Sequence, residues 1–220
     1  MNGPPMFLED ALGLTLREVL PFLQERSTSR STYFGVPAVK SPLDLWIYQE
    51  LIHRLRPDVI VEIGNHAGGS ALALAHFFDA LGSGRVIGVD VTHAHVHEIV
   101  RRHPRVTLIE GDACLAYDKV SRLIAKDEHV LVIEDSSHTY ANTLSVLRTY
   151  SPLVKLGGYF IVEDGICHHG LDLGPVPGPY EAIEAFTEDG VFVSDRTLES
   201  FVITWNPKGF LRRVKEVDAP

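Results

Sequence analysis

The sequence predicts an α/β domain on a Rossmann-like, mostly parallel sheet, and three observations carry that reading. Short β-branched runs such as Val59-Ile60-Val61-Glu62-Ile63, Arg85-Val86-Ile87-Gly88-Val89 and Val130-Leu131-Val132-Ile133 recur with helical stretches between them, as in a parallel sheet covered on both faces. The first run opens into a glycine loop, Gly64-Asn65-His66-Ala67-Gly68-Gly69-Ser70, ahead of a helix, the usual start of a nucleotide-binding sheet. Two later runs end in acids: Val130 to Ile133 in Glu134-Asp135-Ser136-Ser137-His138, and Tyr159-Phe160-Ile161-Val162 in Glu163-Asp164-Gly165. Ligands of open α/β sheets bind outside the carboxyl ends of the strands, so Asp135, His138, Glu163 and Asp164 are expected at one rim.

Composition narrows the class. The 220 residues are 45% hydrophobic and 22% charged, enough for one domain with a sizeable core. A formal net charge of -9, with no basic block, argues against a nucleic-acid surface. Cys114 and Cys167 are too few for a disulfide framework or zinc ribbon. Neither a membrane-length apolar run nor a signal-peptide pattern is present, so a cytoplasmic protein is expected, with a small-molecule substrate, no membrane partner and a homo-oligomeric assembly.

Taken in order, residues 1–5 are expected to fray, and residues 1–32 form an N-terminal helical extension to a domain spanning 33–220. Leu8, Leu12, Leu16, Val19, Leu20 and Leu23 recur at helical steps, with a kink expected at Pro21. Residues 27–31 read as a turn, and Tyr33-Phe34-Gly35-Val36-Pro37 as an aromatic loop. Ser41 or Asp44 starts a helix that ends before Pro57. After the glycine loop come a helix through Phe78, the strand ending in Asp90, and a third strand reaching Asp112. Helices are expected over residues 120–125, 142–150 and 180–186, and a Gly- and Pro-rich lid over 166–180. Val191-Phe192-Val193-Ser194-Asp195 and Phe201-Val202-Ile203-Thr204-Trp205-Asn206 read as a closing hairpin.

Chemistry-bearing residues follow the strand ends. Gly64, Gly68 and Gly69 give G-x-x-x-G-G, neither the dinucleotide fingerprint nor a P-loop. Glu62 instead makes the E-x-G pattern found where S-adenosylmethionine binds. Asp90 stands where a ribose offers two hydroxyls, a position that serves a nicotinamide cofactor equally well. Asp112, Ala113 and Cys114 are placed to meet an adenine edge. Asp135, Glu163 and Asp164 form a hard-oxygen set suited to Mg²⁺, beside the imidazole of His138. His93, His95 and His97 alternate as zinc ligands can, though helix-start surface histidines are the plainer reading.

The series Glu62-x-Gly64, Asp90, Gly111-Asp112, Asp135-x-x-His138 and Glu163-Asp164 resembles the cephalosporin hydroxylase/rhamnosyl O-methyltransferase family. The likeness runs from about Tyr33 to Val214. It includes Ser41-Pro42-x-Asp44 and the late segments from Asp195 to Glu199 and from Asn206 to Arg213. It implies a class I methyltransferase with a seven-stranded, mostly parallel sheet containing one antiparallel strand. By the same resemblance, Glu62, Gly64, Asn65, His66, Gly68, Ser70, Asp90, Asp112, Ala113 and Asp135 line an S-adenosylmethionine site. Asp135, Glu163 and Asp164 bind Mg²⁺, and His138, assisted by Asp135, is the general base. The implied reaction is O-methylation of a sugar or glycosylated natural product.

Rival readings have specific weaknesses. An iron oxygenase calls for two histidines and one carboxylate. A nicotinamide enzyme calls for other glycine spacing. A Ser-His-Asp hydrolase through Ser136 or Ser137 lacks the G-x-S-x-G elbow. A non-catalytic cofactor-binding module need not keep both metal acids and base.

Overall fold

A computed structural model describes residues 7–216, and the expectation for residues 1–5 lies outside them. The chain begins with helices α1 (Leu8–Ala11) and α2 (Leu16–Arg30), then a small hairpin of β1 (Thr32–Tyr33) and β2 (Val36–Pro37). Next come α3 (Pro42–Leu55), β3 (Val59–Ile63), α4 (Gly69–Leu81), β4 (Arg85–Asp90), α5 (Glu98–Arg101) and β5 (Val106–Glu110). The second half holds α6 (Ala113–Ser121), β6 (Val130–Glu134), α7 (Tyr140–Tyr150), β7 (Tyr159–Val162), α8 (Pro179–Thr187), β8 (Phe192–Ser194) and β9 (Phe210–Arg213).

Seven strands lie in the order β5-β4-β3-β6-β7-β9-β8. Strand β9 is antiparallel to both neighbours, and the other pairings are parallel. Alternation along the strands divides the core. Ile60, Leu131 and Ile133 face the α3 and α4 side with Tyr48, Leu51, Leu72 and Phe78. Val59, Val61, Val130, Val132 and Phe160 face Val120, Val146, Leu147 and Tyr150 on α6 and α7. Burial on both faces explains why these strands read as unbroken apolar runs.

Register places the rim. Ile63 pairs with Glu134, and Glu134 with Val162. Gly64, Asp135 and Glu163 therefore leave three adjacent strands at one level.

Three expectations are corrected. The segment 201–206 is not a strand. Its Trp205 amide donates to Asp44 Oδ2 at 2.8 Å and Thr204 Oγ1 to Asp44 Oδ1 at 2.5 Å, so α3 claims its polar groups, and β9 forms further on. The N-terminal break lies at residues 12–15, not Pro21, because Thr15 and Glu18 form a capping box that restarts the helix, which then runs through residues 27–30. Helix α6 begins at Ala113 rather than near Val120, since Asp112 Oδ1 accepts from the Leu115 amide at 3.0 Å and caps it. Helix α2 seats Leu20 in a small apolar cluster with Ile166, Leu171 and Trp205, which fastens the N-terminal helix to the expected lid.

Candidate active site

The glycine loop is built against the metal acids. Gly64 has φ +89°, and a Cβ there would lie 1.9 Å from the Asp135 carbonyl oxygen. Only glycine permits that approach. The loop is then held from its far side by Asp90, whose Oδ2 accepts from the Asn65 amide at 2.8 Å and the His66 amide at 3.0 Å. Asp90 Oδ1 takes only a 3.4 Å contact from the Thr92 amide, and so keeps room to accept a hydroxyl.

A cavity of ≈ 630 Å³ runs along this rim. Gly64, Asn65, His66, Ser70, Asp90, Asp112, Ala113, Asp135, His138 and Asp164 all line it. Glu62 and Gly68 do not. Strand alternation turns Glu62 to the α4 face, where it is fully buried and accepts from Asn65 Nδ2 at 2.7 Å beneath the loop. Gly68 sits under Val100 at the start of α4, with φ +87°.

The histidine trio is dispersed. His93 is buried, its Nε2 3.4 Å from Asn65 Oδ1, and burial lowers its pKa. His95 stacks on His66 at the cavity wall, and His97 caps α5. Another group, His76, Asp79 and His103, also offers close ligand atoms. There, however, Arg105 Nε takes the Asp79 carboxylate at 2.6 Å, and His103 Nδ1 accepts from the Arg105 amide at 3.3 Å, so it reads as an ion-paired cluster.

At the far end of the cavity, Asp135, His138 and Asp164 bring ligand atoms within 4.8 Å of one another. His138 Nε2 is 3.3 Å from Asp164 Oδ2 and 3.9 Å from Asp135 Oδ1. Glu163 has a different partner, Lys40. The lysine Nζ donates to Asp135 Oδ2 at 2.5 Å and also to Glu163 Oε1. Burial would lower the Lys40 pKa, but the two carboxylates more than reverse this and push it up. Burial, then the Asp135 charge, pushes Glu163 well above the usual carboxylate range and Asp164 up to about 6. Glu134, enclosed behind them with Ser136 Oγ donating at 2.8 Å, is pushed up to about 8, chiefly by burial.

A polar girder supports these acids. Asn206 Nδ2 donates to the Tyr48 hydroxyl at 2.9 Å, and Asn206 Oδ1 accepts from the Asp164 amide at 3.3 Å. Lys40, Tyr48 and Asn206 were missed in the sequence. One signal was available for Lys40: it directly precedes the N-terminus of α3, where the helix dipole disfavours a cation.

Val39, His66, His138 and Asp164 line the cavity with φ between +45° and +57°. For a β-branched residue this is a true outlier. Val39→Gly is expected to raise stability by up to about 1 kcal/mol in thermal melts, through relief of left-handed strain. A loss of that size instead would mean that the packing of the valine outweighs its strain.

The strand order, the single antiparallel strand, and a glycine loop facing a row of acid-tipped strands define a class I methyltransferase. The comparisons give the family. The profile of the Rhamnosyl O-methyltransferase/CmcI family matches residues 25–214, and the chain belongs to that family. A rhamnosyl O-methyltransferase of Mycobacterium tuberculosis (strain H37Rv) is 35% identical over 196 residues, 84% of this chain and 79% of the relative. That of Mycobacterium leprae is 33% identical, covering 83% of each. Among solved structures, the Mg-SAM structure of cmcI-D160 superposes with a TM-score of 0.65 at 25% identity, over 85% of this chain and 78% of that one.

Proposed function

We propose that the protein is an S-adenosylmethionine- and Mg²⁺-dependent O-methyltransferase acting on a hydroxyl of a sugar or glycosylated natural product. The observation that carries this is one cavity lined both by His138 with the carboxylates of Asp135 and Asp164 and, along the same rim, by the glycine loop, Asp90 and Asp112. Family membership and the rhamnosyl O-methyltransferase relatives support the acceptor class.

The residues fit both groups. The cavity passes from the glycine loop over Asp90 to Asp112 and Ala113, as an adenosyl group requires. Asp135, Glu163 and Asp164 set three formal negative charges against the one of Lys40, and burial first, then the Asp135 charge, raises Glu163 and Asp164. A divalent cation matches the surplus of negative charge, and the donors are the hard oxygens Mg²⁺ prefers. Asp135, Glu163 and Asp164 would hold the ion. When bound, it supplies Lewis acidity and a seat for two neighbouring oxygens of the acceptor.

The chain's own residues do the rest. His138 accepts the proton of the acceptor hydroxyl, and Asp164 and Asp135 stabilise the resulting imidazolium. S-adenosylmethionine, held by the glycine loop, Asp90 and Asp112, would supply the electrophilic sulfonium methyl for the oxygen that His138 deprotonates, and would leave as the neutral thioether. Asp90, through the loop amides, and the Gly64–Asp135 contact hold the cofactor loop against the metal acids, and alignment of this kind is worth a large share of the rate. Glu62 acts on the loop from beneath, as a positioning residue for Asn65.

The oxygenase alternative loses ground on donor count, since one histidine with two carboxylates inverts the set it needs. Transfer of labelled methyl from S-adenosylmethionine to rhamnosylated acceptors is expected, with no turnover of 2-oxoglutarate. The opposite pattern would overturn the reading. A cytoplasmic homo-oligomer is proposed, to be tested by light scattering and fractionation. No helix among the described residues is long and apolar enough to cross a membrane.

A further inference from the structure

We propose that Lys40 is the resident counter-ion of the metal site, a positioning residue that holds Asp135 and Glu163 together before a divalent cation arrives. The inference rests on the reading above that these acids are metal donors.

Lys40 is 6% exposed, and its Nζ bridges acids from two strand ends, Asp135 after β6 and Glu163 after β7. Among the described residues no other lysine or arginine pairs with Asp135, Glu163 or Asp164. The chain is built to bring the cation there. Its neighbour Val39 takes a left-handed conformation, and the preceding turn is pressed so tightly on α4 that a Cβ on Gly69 would lie 2.4 Å from the Pro37 carbonyl oxygen. A lysine ahead of α3 gains nothing from the helix dipole, so the two carboxylates are what hold it. Without it, the buried Glu163 and the half-buried Asp135 would face each other uncompensated, a costly arrangement. Lys40 also ties the Ala38 and Val39 wall of the cavity to the acids.

The test is thermal melting of the whole protein, without metal and in saturating Mg²⁺, with Mg²⁺ affinity measured by calorimetry in the absence of acceptor. The variants are Lys40→Met, Lys40→Arg and the pair Lys40→Met/Glu163→Gln. Lys40→Met is expected to lower the metal-free Tm by about 10 °C, and by clearly less in Mg²⁺, which takes over the counter-charge. Lys40→Arg should keep most of the metal-free Tm. The double variant should regain much of the loss, because it removes the stranded charge along with its partner. If Lys40→Met fails to fold, the double and arginine variants still decide. Equal losses with and without Mg²⁺, or no recovery in the double variant, would reduce Lys40 to packing and overturn the proposal alone. A wild type that binds no Mg²⁺ would overturn both it and the metal reading.

Discussion

His138→Ala is expected to lower kcat by roughly 10²–10⁴-fold, the range for loss of a general base, while S-adenosylmethionine affinity stays unchanged. The imidazole stands at the end of the cavity with Nε2 3.3 Å from Asp164, in reach of a hydroxyl placed between the metal acids and the cofactor loop. His138 has φ +56°, so His138→Asn, which tolerates this backbone, is the companion that separates chemistry from strain. A variant that melts early yet keeps its turnover would leave His138 only a structural part. Lost Mg²⁺ binding would make it a ligand instead and reopen the oxygenase alternative.

Removal of the metal should have an effect as large. Chelation with EDTA is expected to abolish methyl transfer, and Mg²⁺ to restore it. Asp164→Asn should weaken Mg²⁺ binding by at least ~100-fold, given that losses of partners one shell further out already cost 10–100-fold. The fold should survive, since Asp164 is tied to Asn206 through its backbone amide and asparagine accepts its φ of +57°. The pH dependence has a definite sign. With a carboxyl pKa of about 6 in the metal-free protein, Asp164 binds a proton in competition with the ion below that value. Mg²⁺ affinity should therefore fall as pH drops through about 6, and this fall should flatten in the asparagine variant. Full activity in chelator would defeat the metal assignment.

The strands and the rim were legible in the sequence because burial on both faces and acid-tipped ends are local signals. Gly64, Asp90, Asp135, His138 and Asp164 stand where strand order alone places them. Less was legible where the partner is distant in the chain. Phe201 to Asn206 looks like a strand by composition, and only Asp44, on another element, shows why it is not. Glu62 was expected at the cofactor, but strand alternation, a rule available from sequence, points it beneath the loop. Lys40 needed both Asp135 and Glu163 in place before its role was visible, and no spacing encodes a bridge across 95 and 123 residues.

The cavity wall also has an evolutionary consequence. The groups assigned to proton and methyl movement leave the ends of β3, β4, β6 and β7, whose neighbours are locked by register. Thr28, Ala38 and Val39 enter the same cavity from α2 and the turn after the small hairpin, outside the sheet. Substitutions there can reshape the space offered to an acceptor without moving a strand. The two sets of walls can drift at different rates, so a lineage can exchange one glycoside for another while its reaction chemistry stays fixed.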